Sequence, residues 1–170
     1  MLVDRLTRAG DGAGSDSDDH GVISDCIVQA YRRFHEEGPV FLHHLASVLR
    51  NPGTIAGHDP SPEQRQRMER LANRLYQWCD RGRYAQLFDR PTNVAVQGPV
   101  TYIDLGQVAA HPDLMPVVVL ILSDLIYREA MRAPGRERTL VIQDELWSVL
   151  ADPAAAKLLD DMYRRFPPHC

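Results

Sequence analysis

The residues best placed to do chemistry are Asp144 and Glu145, which end the apolar run Leu140-Val141-Ile142-Gln143 and precede Leu146-Trp147. An apolar strand ending in adjacent carboxylates has the pattern of the Mg²⁺ and water-activating strand of a nucleotide hydrolase. Asp144 would hold the Mg²⁺ of a bound Mg-ATP, and Glu145 would orient and deprotonate the attacking water. The phosphates need a second element, a backbone cradle with a lysine in the pattern G-x-x-x-x-G-K-[ST]. Only one of the 19 basic residues is a lysine, Lys157, and it stands in Ala154-Ala155-Ala156-Lys157-Leu158. Half of an ATP site is therefore written in the chain. The competing reading of the acidic pair is structural, since acids at a strand end also cap the helix that follows.

Other reactive residues are weaker candidates. Asp104 ends a neighbouring apolar segment and would either add a third carboxylate at the same edge or cap the next turn. The run Gly10-Asp11-Gly12-Ala13-Gly14-Ser15-Asp16-Ser17-Asp18-Asp19 has glycines without a lysine, and its aspartates would repel phosphate, so residues 8 to 21 read as a loop. His35, His43 and His44 lack metal-ligand spacing, and adjacent histidines point to different faces of a helix. Arg32-Arg33 and Arg164-Arg165 could contact phosphate, although exposed helical arginines are the simpler reading. Cys26, Cys79 and Cys170 are far apart and odd in number, which favours a reduced, cytoplasmic setting over a disulfide framework.

The elements that would position these residues fall into two groups. Ile23, Cys26, Ile27, Ala30, Tyr31 and Phe34 recur at helical spacing up to Gly38, and Phe41, Leu42, Leu45, Val48 and Leu49 do so up to Asn51-Pro52-Gly53. Ser61-Pro62-Glu63-Gln64 carries an N-cap serine, a proline at the first helical position and a capping-box glutamine. Met68, Leu71, Ala72, Leu75, Trp78 and Cys79 follow as its buried stripe, closed by Gly82. Beyond Gly82 the pattern predicts strands at Asn93 to Val96, Val100 to Leu105 and Thr139 to Gln143. Between the last two lies an apolar helix from His111-Pro112-Asp113 to about Ala133, and a final helix runs from Asp152 to about Phe166. Strand, helix and strand in that order predict a parallel βαβ unit with a right-handed crossover, and Asp144 and Glu145 fall at the carboxyl edge where ligands sit.

The expected organisation is a flexible segment over residues 1–20, a helical subdomain over 21–82 and a βαβ core over 83–170. The 170 residues, 44% hydrophobic and 25% charged, suit one globular core of ordinary size. A formal charge of −4 gives no basic field for nucleic acid. No secretory h-region follows Met1, and the longest apolar run, Val117 to Leu122, is too short to cross a bilayer.

The order of these features resembles the C-terminal motor domain of the TraC/VirB-type ATPases of conjugative type IV secretion systems, RecA-like and HerA-FtsK-like P-loop motors. Three stretches carry the resemblance besides Ala30-Tyr31 before Gly38-Pro39: Gly82-Arg83-Tyr84-Ala85-Gln86-Leu87-Phe88-Asp89, Thr101-Tyr102-Ile103-Asp104-Leu105, and Val141-Ile142-Gln143-Asp144-Glu145-Leu146-Trp147 before Asp152-Pro153. The resemblance spans residues 20 to 170. It implies a partial RecA-like α/β fold whose helical insertion is 21–82, with Asp144 and Glu145 as the acidic pair of the second nucleotide motif. It implies ATP and Mg²⁺ as cofactors of the complete protein, a hexamer, a cytoplasmic position at the inner membrane, partners in the secretion channel, and transfer of substrate or DNA.

Two family parts are missing from this sequence, the phosphate loop expected before Met1 and the glutamine-bearing strand and arginine expected after Cys170. Phosphoryl transfer without the amides and lysine around the phosphates loses most of its electrostatic stabilisation. The chain is thus expected to be a fragment or truncated frame, inactive alone. The alternatives are a non-catalytic helical interaction module, for instance a degenerate subunit that assembles with intact relatives, and a related DNA-pumping translocase.

Overall fold

The structure is a computed structural model that describes residues 17–55, 58–94, 100–132, 140–142 and Asp144, with Val3, Leu6, Thr7, Ala156, Asp160 and Arg164 individually. The chain divides into two compact units, Met1–Asn93 and Val94–Cys170.

The first unit is helical. Helices α1 (Ser17–Phe34), α2 (Leu42–Arg50) and α3 (Pro62–Leu75) are followed by a 3-10 turn, Tyr76–Trp78, and the short α4 (Ala85–Phe88). Helix α2 packs against both α1 and α3. The spacing of apolar residues explains the arrangement, since Ile23, Cys26 and Ala30 of α1, Leu45, Val48 and Leu49 of α2, and Met68, Leu71, Ala72 and Leu75 of α3 are all buried. The start of α3 is built as its sequence predicts. Ser61 Oγ accepts the Gln64 N–H at 3.3 Å, and Gln64 Oε1 accepts the Ser61 N–H at 2.9 Å. Such a cap stabilises a helix by about 1 kcal/mol. Helix α1 begins at Ser17, inside the segment read as a loop, and Asp19 of its first turn pairs with Arg67 of α3 at 3.6 Å.

Trp78 anchors this unit. Its ring is fully buried, its indole N–H donates to the Leu6 carbonyl at 2.9 Å, and the rings of Tyr84 and Phe88 lie 5.0 and 5.3 Å away. An indole packed on two aromatic rings removes a large apolar area from water while its one polar atom stays paired. Reaching that arrangement requires the backbone to fold back sharply. The Tyr84 N–H donates to the Gln77 carbonyl at 2.7 Å, and a Cβ on Gly82 would collide with the Tyr76 carbonyl oxygen and the Gln77 backbone. Gly82 is thus fixed by a close approach of two backbones.

In the second unit, α5 (Gly106–Ala109) is followed by α6 (Met115–Arg132), which packs against it. Leu114, just before α6, and Val117, Val119 and Leu120 within it are buried; the helix starts at Met115, after a turn at the expected His111-Pro112-Asp113 opening, and no sheet among the described residues covers it. Among the described residues no helix is long and apolar enough to cross a membrane.

The expected α/β fold, a partial RecA-like domain with a parallel βαβ core, is not what the chain adopts. Among the described residues there is no strand, and the one β-bridge is the isolated pair Ile55 and His58. Residues 100–105 and 140–142 have no regular structure, and four of the large apolar side chains meant for a sheet interior lie in water, while Ile103, Leu105 and Val141 are half-buried. Val100 is 84% exposed, Tyr102 86%, Leu140 83% and Ile142 81%. The physical reason is that a strand's backbone N–H and C=O groups are satisfied only by a neighbouring strand. Favourable β-propensity at Val100 to Ile103 or Leu140 to Ile142 supplies no such neighbour. Residues 95–99, 139, 143 and 145–147, which complete the expected strands and the acidic tip, lie outside the described residues.

Candidate functional site

Asp144 sits in a bend with its side chain exposed, two residues after the exposed Ile142. Glu145, the expected water-activating residue, lies outside the described residues. Magnesium binding to a nucleotide requires oxygen ligands held in near-octahedral order beside the phosphates. Among the described residues, no three His, Cys, Asp or Glu side chains converge to hold a metal ion. Asp104 takes the turn-capping role, for its Oδ1 accepts the Gly106 N–H at 2.8 Å at the start of α5.

Two of the four candidate phosphate-binding arginines, Arg33 and Arg164, are engaged elsewhere. Arg33 donates to the carbonyls of Asn51 at 3.0 Å and Pro52 at 2.6 Å, just beyond the end of α2. Unsatisfied carbonyls and the negative end of the helix dipole make that a natural place for a guanidinium. Gly53 next to it has φ +59, and a Cβ there would come 2.8 Å from Arg33 Nη2. Arg164 pairs with Asp160 one turn earlier at 2.7 Å. Arg32 is exposed, and Arg165 lies outside the described residues.

The most organised polar cluster is one that sequence spacing did not single out. It joins the start of α2 to the segment after α4. Asp89, with its side chain only 7% exposed, accepts the His43 N–H at 3.0 Å through Oδ1 and the Asp80 N–H at 3.0 Å through Oδ2. His43 Nδ1 lies 3.0 Å from each of the two carboxylate oxygens, so its proton sits on Nδ1 and points at Asp89. Asp80 adopts φ 54, a left-handed conformation that a short polar residue tolerates best, and its N–H thereby reaches Asp89.

His44 is the second half of the cluster. Its Nδ1 accepts the Phe41 N–H at 3.0 Å, its ring stacks on Phe34 at 4.5 Å, and the His43 ring is 4.0 Å away. Burial holds the His44 pKa below its ordinary value, and the neighbouring His43 charge pushes the same way, against the smaller pull of Asp89 and Glu37. The two histidines therefore fasten local structure: His43 ties α2 to Asp89, and His44 ties the α2 N-terminus to the end of α1. In the sequence, Asp89 only ends the segment Gly82 to Asp89, and no local pattern there points to His43. That end residue carries the hydrogen bonds, while Tyr84 and Phe88 of the segment meet Trp78.

The buried thiols have no part in a reactive site. Burial, with help from Asp25, pushes the Cys26 thiol up to about 12. Burial, with help from Asp80 and Asp89, does the same to Cys79. A thiol so hard to ionise is a poor nucleophile at neutral pH.

Comparison with protein-family models, with curated proteins and with solved structures finds no match to this chain.

Proposed function

We propose that this chain works as a non-catalytic helical module associated with a type IV secretion-type ATPase, and does not turn over ATP by itself. The observation that supports this reading is the contrast between its two ends. The unit from Ser17 to Asp89 is closed, with a continuous apolar core, a reciprocal cap on α3 and a buried carboxylate that accepts from two backbone amides. Asp144, by contrast, stands exposed in a bend beside apolar side chains that lie in water. A nucleotide site must be pre-organised to stabilise charge in phosphoryl transfer, and an exposed carboxylate on irregular backbone is not. A degenerate subunit that assembles with intact relatives at the inner face of a secretion channel fits both features.

A second reading keeps the acidic pair functional in a longer polypeptide. There Asp144 would hold Mg²⁺ and Glu145 would activate water, with ATP cradled by a loop from another part of the protein, in a hexamer that moves substrate or DNA. What favours it is the exposure of Leu140 and Ile142 immediately before Asp144, because large apolar side chains left in water are surfaces that association would bury.

Titration of the chain with a fluorescent ATP analogue in Mg²⁺ separates the two. The module reading predicts no saturable binding by the chain alone, together with co-elution when it is mixed with an intact motor of the type IV secretion class. Saturable, Mg²⁺-dependent binding by the chain alone, with no co-elution, would replace it with the nucleotide-site reading.

A further inference from the structure

Two helices of the first unit share one half of a capping box, in which the side chain of the third helical residue reaches back to the N-cap amide; α3 adds the other half through Ser61 Oγ, while Phe41 at α2 has no side-chain acceptor. At α3 the third residue of the helix, Gln64, reaches back to accept the N-cap amide of Ser61 at 2.9 Å. At α2 the corresponding residue is His44, whose Nδ1 accepts the N-cap amide of Phe41 at 3.0 Å. A glutamine amide oxygen is an acceptor at every pH, whereas an imidazole nitrogen accepts only while the ring is neutral.

We propose that His44 makes the α2 N-terminus a proton-sensitive latch, closed when the ring is neutral and released when it is protonated. On protonation Nδ1 becomes a donor facing the Phe41 N–H, so the cap is lost and two donors are left opposed. The groups around the ring set the outcome. His43, 4.0 Å away on the same helix, repels an imidazolium once it is itself charged, while Glu37 between α1 and α2 and Asp89 after α4 attract it. Asp89 is already occupied by the His43 ring and two backbone amides, so its negative charge is largely answered. The Phe34 face against His44 favours a cation, but it supplies no acceptor for the orphaned amide.

The Asp89 contact does not run through His44, since the His43 backbone N–H donates to Asp89 Oδ1 at 3.0 Å. Protonation of His44 therefore opens the Phe41 turn and the Phe34 stack while α2 stays fastened to Asp89. The released segment is the connector between α1 and α2, which includes Gly38 at φ 136.

Hydrogen exchange of the full chain tests this directly, with each rate corrected for the intrinsic pH dependence of exchange. Protection of the Phe41 amide is expected to fall about tenfold from pH 7.5 to 5.0, while that of the Ser61 amide is unchanged. His44→Gln, which copies the α3 cap, should remove the pH dependence at Phe41. The ¹⁵N spectrum of the unmutated ring should show a neutral imidazole protonated on Nε2 at pH 7.5. A His44 proton on Nδ1 at neutral pH, or equal loss of Phe41 protection in the native chain and in His44→Gln, overturns the proposal.

Discussion

Asp89 holds His43 at two points, the backbone N–H and ring Nδ1, both at 3.0 Å, and spends its second oxygen on the Asp80 amide. One nearly buried carboxylate thereby joins the first turn of α2 to the loop that follows Trp78. Replacing Asp89 by alanine removes three hydrogen bonds from donors that are part-buried or exposed, each worth about 0.5–1.5 kcal/mol net. Asp89→Ala is expected to destabilise the chain by about 3 kcal/mol in urea unfolding, and Asp89→Asn by less, because the amide oxygen still serves one donor.

Around Trp78 the prediction concerns packing and backbone together. Trp78→Ala should cost about 3–5 kcal/mol, as large-to-small changes in a closed core do. Gly82→Ala removes no contact, yet its added methyl group meets the Tyr76 carbonyl and the Gln77 backbone. Thermal unfolding of the two variants should therefore show losses of similar order, and Gly82→Ala should also release the Tyr84 ring from Trp78, read as a change in tryptophan fluorescence.

Thiol chemistry gives a third expectation. Cys26 and Cys79 are buried and pushed up to about 12, so neither presents a thiolate at pH 7 to 8. Peptide mapping after brief alkylation of the native protein at pH 7.5 should find both unmodified, and the same treatment in urea should label both. Raising the pH to 9 should leave them protected, because the ionisation lies far above that value and access still requires opening of the core.

Stability against pH follows from the sign of the His44 shift. Its folded pKa is depressed, so its contribution is present in full above the unfolded value of 6.5 and is lost as pH falls through the folded pKa. Unfolding measured from pH 8 to 5 should show a decline below about pH 6.5 that His44→Gln diminishes.

Much of the first unit is legible in the sequence because its helices satisfy their own backbones. Ser61-Pro62-Glu63-Gln64 announces the start of α3, and Met68, Leu71, Ala72 and Leu75 announce the face it buries, both by local rules. The strand signals at Val100 to Leu105 and Leu140 to Gln143 obey equally good local rules, but a strand is completed by a distant partner, and propensity does not say whether one exists. The His43, His44 and Asp89 cluster failed for a related reason. Asp89 is 46 residues from His43, and nothing in either local pattern marks them as neighbours. His44 was legible only as one of two adjacent histidines. Its capping role depends on Phe41 being the N-cap, which β-extended backbone at φ −110 and ψ 175 establishes.

The proposed function requires that the chain by itself does not hydrolyse ATP. Steady-state phosphate release from Mg-ATP by the purified chain, measured beside Glu145→Gln and a protein-free blank, tests it most directly. All three rates should coincide. Turnover by the native chain that Glu145→Gln abolishes would contradict the proposed function.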